Sequence, residues 1–244
     1  MSVVSRARRR TLVVLGVVLV GMLAASAVAH HHLFGQLTRI EGAFTGLRQR
    51  PAPADDGSMT VLVIGADQRP ATGASGPGWL PGAGATSVLV VHLSADRVSA
   101  RVASLPLAGD IASTVEEGPA SAVGAVEDLT GVRIDHLAVF DWSALGRLPG
   151  VGRPPVGPAG DATERAAADQ AYLREVAQDS LHAELRKQPW TVYHLAEEMA
   201  GALAIDDQWS SFGLARLVVS LRNLRSGDIS FVVAGGHEQV RSAA

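Results

Sequence analysis

Residues 61–70 read VLVIGADQRP. The apolar run that begins at Met59 breaks at Gly65, and Asp67 and Arg69 follow at once. A short aliphatic run stopped by glycine predicts a buried strand over 59–64. An acid and a guanidinium at the end of such a strand can open a phosphate or metal site. They can equally be a strand running into a solvated turn. The choice depends on what the rest of the chain brings to that strand end.

Downstream, TSVLVVHLS (86–94) and RVSARVASL (97–105) are rich in Val and Leu. Ala95-Asp96 joins them, which predicts a hairpin. His92 falls in step with Val88 and Val90, the setting of a hydrogen-bonded sheet histidine rather than of a ligand or base. SAVGAVEDLTG (121–131) suits a helix closed by Gly131, and RIDHLAVFDW (133–142) suits another strand. Gly and Pro saturate residues 145–160 and exclude regular structure there. One helical stripe follows at Tyr172, Leu173, Val176, Ala177, Leu181 and Leu185. A second runs through Leu195, Met199 and Leu203. A third, capped by Ser210 or Ser211, carries Leu214, Leu217, Val218, Leu221 and Leu224. ISFVV (229–233) returns as a strand. This order predicts an α/β architecture, an α+β sandwich with one mixed central sheet and helices packed against it.

The N-terminus sets the topology. Arg6, Arg8, Arg9 and Arg10 precede the uncharged apolar run of residues 11–29, whose 19 residues suffice to cross a bilayer as a helix. Ala27-Val28-Ala29 also fits a signal-peptide cleavage site, but cleaved peptides have apolar cores of roughly 7–15 residues. The length favours an uncleaved transmembrane anchor. The basic segment 1–10 then stays cytoplasmic and the rest is extracytoplasmic, a single-pass protein of the cell membrane.

Beyond the membrane, Leu33, Leu37, Ile40, Phe44 and Leu47 draw one stripe along a helix, read as a stalk. RQRPAPADDGS (48–58) reads as a linker, so 30–58 forms a juxtamembrane stalk and linker. The extracytoplasmic domain spans 59–236, and 237–244 is a tail. His30, His31 and His32 are consecutive and cannot all face one ion on regular structure.

Charge excludes one class of partner. The chain carries −3, and without the four N-terminal arginines 17 Lys and Arg face 24 Asp and Glu. An acidic ectodomain lacks the footprint of a nucleic-acid binder. The absence of cysteine excludes disulfides and thiolate metal sites.

The catalytic inventory is short. The sequence has no G-x-S-x-G elbow, no H-E-x-x-H and no G-x-x-x-x-G-K-[ST] loop. Asp206-Asp207 precedes a predicted helix start and reads as capping or solvation. Glu116-Glu117 and Glu197-Glu198 read as exposed pairs. Asp67 and Arg69 remain.

An N-terminal anchor, a strand ending Gly-x-Asp-x-Arg, a Ser-Leu-Pro hairpin and a strand opening Ile-Asp-His together resemble the LytR-CpsA-Psr family of bacterial envelope proteins. The resemblance covers roughly residues 59–235. It extends to DQAYLREVAQDSL (169–181), similar to the family's Arg-Gln-Gln helix, and to LRNLRSGDISFVV (221–233), similar to its closing helix and strand. It implies a phosphotransferase that moves glycopolymers from a polyprenyl-pyrophosphate carrier onto peptidoglycan. It also implies arginine forks on the pyrophosphate, an aspartate-held Mg²⁺ and an apolar slot for the lipid.

By that resemblance Asp67 is the catalytic and Mg²⁺-binding acid, and Arg69, Arg165 and Gln170 hold substrate phosphate. The family's Arg-Ser-Asp-Thr appears here as Gly84-Ala85-Thr86-Ser87. Its Ile-Pro-Arg-Asp appears as Leu105-Pro106-Leu107-Ala108, with Asp110 a partial substitute two residues on. The later arginine pair has no counterpart, and Ala168 and Asp169 stand for the family's Arg-Gln. The reading is therefore a degenerate member that binds a polyprenyl-linked glycan, or an active paralogue, with weak or no catalysis. The alternatives are an active phosphotransferase acting on peptidoglycan and a purely structural envelope protein.

Overall fold

A computed structural model of the chain describes residues 37–82, 84–142, 161–180, 201–221 and 224–234. The opening stretch forms β2 (Met59–Ala66), and it lies at the centre of the sheet. On one side it pairs antiparallel with β3 (Ala85–Leu93), on the other parallel with β5 (His136–Asp141). β3 continues into β4 (Ala100–Leu105), which pairs parallel with β7 (Ile229–Val233). β5 pairs antiparallel with β6 (Leu203–Asp206), which pairs parallel with β1 (Thr38–Ile40). The described residues thus form a mixed seven-stranded sheet in the order β1-β6-β5-β2-β3-β4-β7.

Alternation along the strands assigns two faces. Leu62, Ile64, Val88, Val90, Leu137 and Val139 pack against Val115 of α1 (Asp110–Glu117) and against Ala122, Val123 and Val126 of α2 (Pro119–Thr130). Gly131 closes α2 in the left-handed region at φ 70°, donating its N–H to Glu127 O at 2.7 Å, the cap the sequence predicts.

The other face carries two smaller clusters. Phe140 and Trp142 meet Tyr172 of α3 (Ala162–Ser180). Leu93, Ala100, Met59 and Val91 pack with Leu224, Leu221 and Leu217, the last on α4 (Ser211–Ser220). Ser210 caps α4, its hydroxyl accepting the Gly213 N–H at 2.9 Å.

The fold corrects four expectations. Residues 38–40 are an edge strand, not part of a helical stalk. Gly42 and Gly46 hold φ of 70° and 77°, which ends any helix, and Ile40, Phe44 and Leu47 enter the core instead. Arg50, expected in a linker, is partly buried and pairs with the buried Glu127 of α2 through Nη2 at 2.7 Å and Nε at 3.0 Å.

Leu203 opens β6, so the helical stripe predicted through Leu195, Met199 and Leu203 does not reach it. Asp206 is fully buried rather than a solvated cap. It accepts from Leu137 N at 3.0 Å and Gln208 N at 3.0 Å, and it meets His136 Nδ1 at 3.1 Å.

No helix among the described residues is long and apolar enough to cross a membrane. The predicted anchor at 11–29, His30–His32, the Gly/Pro stretch 145–160 and Glu197-Glu198 lie outside the described residues.

Candidate functional site

The site begins at Gly65. A Cβ there would lie 2.2 Å from Trp142 Nε1 and 2.3 Å from Ser87 Oγ, so only glycine lets the indole and the hydroxyl approach the strand so closely. Gly65 O also accepts the Thr86 hydroxyl at 3.1 Å. The glycine of the Gly-x-Asp-x-Arg run is thus a packing requirement of the strand end.

Beyond it, Asp67 is exposed and Arg69 half-buried, with Arg69 in contact with the protein. In the parallel register Ala66 lies opposite Asp141, so two carboxylate-bearing positions flank this strand end. His92 bonds Thr60 Oγ1 at 3.1 Å, as a sheet histidine would.

Next to the β2 end, α3 crosses β3 and β4. Its Ala162 and Ala166 leave a gap over the sheet that larger side chains would fill. The resulting slot is lined by Thr86, Ser87, Ser104, Leu107, Arg165 and Asp169, among others. Its free interior is about 10 Å³, roughly the room one water needs.

The slot has an unusual floor. Ser87 and Ser104 are 5% and 1% exposed, and neither hydroxyl has a hydrogen-bond partner among the described residues. A buried hydroxyl left unpaired costs about 1–3 kcal/mol, so two on one face call for a polar occupant. Burial pushes the Asp169 carboxyl up to about 6, against the pull of the neighbouring Arg165 guanidinium.

Of the sequence-derived residues, Arg165 is in this slot. Asp67, Arg69, Asp110 and Gln170 are not among its lining residues. Asp110 is exposed at the start of α1, and Gln170 is buried with its Nε2 unpaired. Ser87 and Ser104 fall inside the 84–87 and Ser-Leu-Pro runs, but sequence reading gave neither hydroxyl a role. Their signal was faint: neither run shows from sequence that its serine faces the slot.

Two solved structures share this arrangement of strands and helices over more than three quarters of the chain. A LytR-Csp2A-Psr enzyme from Actinomyces oris superposes with a TM-score of 0.55 at 16% identity, covering 81% of this chain and 86% of that one. TagV from Bacillus subtilis gives 0.56 at 14% identity, covering 78% of this chain and 96% of that one. The chain has the LytR-CpsA-Psr fold.

The Streptococcus agalactiae protein gbs0355 is also similar, with a TM-score of 0.50 at 11% identity, covering 72% of this chain and 77% of that one. A scan against models of protein families finds no match, and a search of curated proteins finds none.

On this fold the departures from the family motifs acquire positions. Thr86, which the sequence resemblance aligns with a Mg²⁺-binding aspartate, donates its hydroxyl to Gly65 O. Leu107 is the residue that the same resemblance aligns with an arginine. Both line the slot. Among the described residues no group of three or more His, Asp or Glu converges as metal ligands.

Proposed function

We propose that this is a membrane-anchored, extracytoplasmic protein of cell-wall glycopolymer assembly. It acts by binding a polyprenyl-linked glycan, or an active paralogue, rather than by efficient phosphotransfer. The observation that carries the reading is the slot wall. Among the described residues Arg165 is the one guanidinium lining it, while Thr86 and Leu107 stand where the family resemblance calls for an acid and an arginine.

Loss of one preorganised donor lowers rate by roughly 10²–10³, and here more than one is replaced. Arg69, Arg165 and Gln170 are the residues assigned to the phosphate groups, and Asp67 is the assigned acid. Entry of a prenyl chain over β3 and β4 requires α3 to move outward, since the slot holds about one water.

The test uses the full chain in detergent with a polyprenyl-pyrophosphate-linked oligosaccharide, Mg²⁺ and a peptidoglycan acceptor. The expected result is retention of the lipid-linked glycan with release no faster than that of the Asp67→Ala variant. Turnover that Asp67→Ala abolishes would instead establish an active phosphotransferase. Failure to retain the glycan or any paralogue would leave only a structural role.

A further inference from the structure

At the opposite end of the sheet from Asp67 lies a cleft of about 450 Å³, large enough for a small ligand or a headgroup. It is lined by the β3–β4 turn, the start of β5 and α4. Its ionisable lining side chains are Arg97, His136 and Arg216, with no carboxylate among them. Gln208 and Ser210 add polar groups.

The two arginines are held differently. Arg97 donates to the carbonyls of Leu93, Ser94 and Gly57, neutral acceptors, while the neighbouring Asp96 carboxylate feels its charge through space. Asp96, in the same turn, turns its carboxylate to Ser94 Oγ and Val98 N. Arg216 is exposed on α4 and forms no ion pair or hydrogen bond with described residues.

His136 is fixed from behind. Its Nδ1 meets the buried Asp206 carboxylate at 3.1 Å, and its ring stacks on Trp209 at 4.2 Å between centroids and 11° between planes. An acceptor carboxylate at Nδ1 sets that nitrogen as the donor and leaves Nε2 for the cleft.

A second, independent observation concerns apolar surface. The large hydrophobic side chains exposed among the described residues are Val98, Phe212 and Val219, at 42%, 74% and 58%. All three flank the cleft arginines. Val98 follows Arg97, while Phe212 and Val219 share the Arg216 face of α4 at i−4 and i+3. Exposed apolar residues interleaved with arginines suit a surface that meets phosphate headgroups and acyl chains together.

We infer that this cleft and its apolar rim dock on an anionic phospholipid surface, with a lipid phosphate received between Arg97, Arg216 and His136. The site is separate from the Asp67 end and does not depend on the reading given to that end. A purely neutral surface would leave the arginines unmatched. A small soluble anion would leave Phe212 and Val219 in water.

The chain contains no cysteine, so single cysteines report cleanly. Full-length protein in lipid nanodiscs is labelled with an environment-sensitive fluorophore at Val219→Cys, or at Glu117→Cys on α1 as control. Brominated lipids serve as quenchers. In phosphatidylglycerol–phosphatidylcholine discs the label at 219 should be quenched and that at 117 should not. Arg216→Gln should lower the docked-to-undocked ratio about fivefold, since one arginine near an anionic surface is worth about that factor, and Arg216→Lys should keep most of it.

Equal quenching at 219 in pure phosphatidylcholine discs overturns the inference, as does no quenching in either. Shifts of the His136 ring resonances by glycerol phosphate with the 219 label still in water would assign a soluble phosphate ester instead. They would equally overturn lipid docking.

Discussion

Trp142 lies directly over Gly65, so that a single added carbon on the glycine would stand 2.2 Å from the indole nitrogen. The same carbon would stand 2.3 Å from Ser87 Oγ. The glycine that ends the apolar part of β2 is therefore where the strand, the β5 end and the slot floor come into contact. Its position beside Asp67 links the motif to the packing beneath it.

Gly65→Ala should destabilise the domain by about 1–3 kcal/mol through overpacking. The indole must move, so tryptophan fluorescence should change with the unfolding midpoint. Denaturant titration of the full chain in detergent checks both. A wild-type midpoint with unchanged emission would contradict the contact.

The Arg50–Glu127 pair gives a second test. Glu127 is 3% exposed and also accepts from Ile134 N at 2.8 Å. Glu127→Ala leaves the Arg50 guanidinium without its anion, and removing one partner of a buried pair costs about 3–5 kcal/mol. Arg50→Ala should be similarly severe, and the double variant should cost less than the sum of the two. A near-neutral Arg50→Ala in urea unfolding would return residues 48–58 to the status of a passive linker.

Asp169 predicts a pH dependence of known sign. Its carboxyl is raised from 3.8 to about 6 in the folded chain. Between those values the folded state holds the proton and the unfolded state has released it. Its contribution to stability is therefore complete at low pH and declines as pH rises towards 6. The difference in urea midpoint between wild type and Asp169→Asn should change across pH 4–6 and level off above it. A difference independent of pH would mean that the carboxyl is not desolvated beside Arg165.

The sequence exposed much of this architecture because the strands are short aliphatic runs with clear stops. Met59–Ala66, Ala85–Leu93 and Ile229–Val233 fall close to where composition places them. The Thr38–Ile40 strand was illegible. Leu33, Leu37, Ile40, Phe44 and Leu47 repeat at helical spacing, and only the sheet edge offered by β6 turns three of the intervening residues into a strand. Asp206 was misread for a related reason. An acid before a helix has a local explanation, and its burial against His136, seventy positions earlier, is a tertiary fact.

The candidate site was partly legible. Arg165 and the Gly-x-Asp-x-Arg run could be found as motifs. The role of Ser87 and Ser104 could not, since a serine in a strand acquires meaning only when its face and its partners are known.

The central claim is tested most directly by equilibrium binding of a polyprenyl-pyrophosphate-linked glycan to the full-length protein, followed by native mass spectrometry from lipid nanodiscs. The account predicts one bound glycolipid per chain, weakened at least tenfold by Arg165→Ala together with Arg69→Ala, with the glycolipid mass unchanged over hours in Mg²⁺. No bound glycolipid, or binding that the double variant leaves untouched, would contradict it.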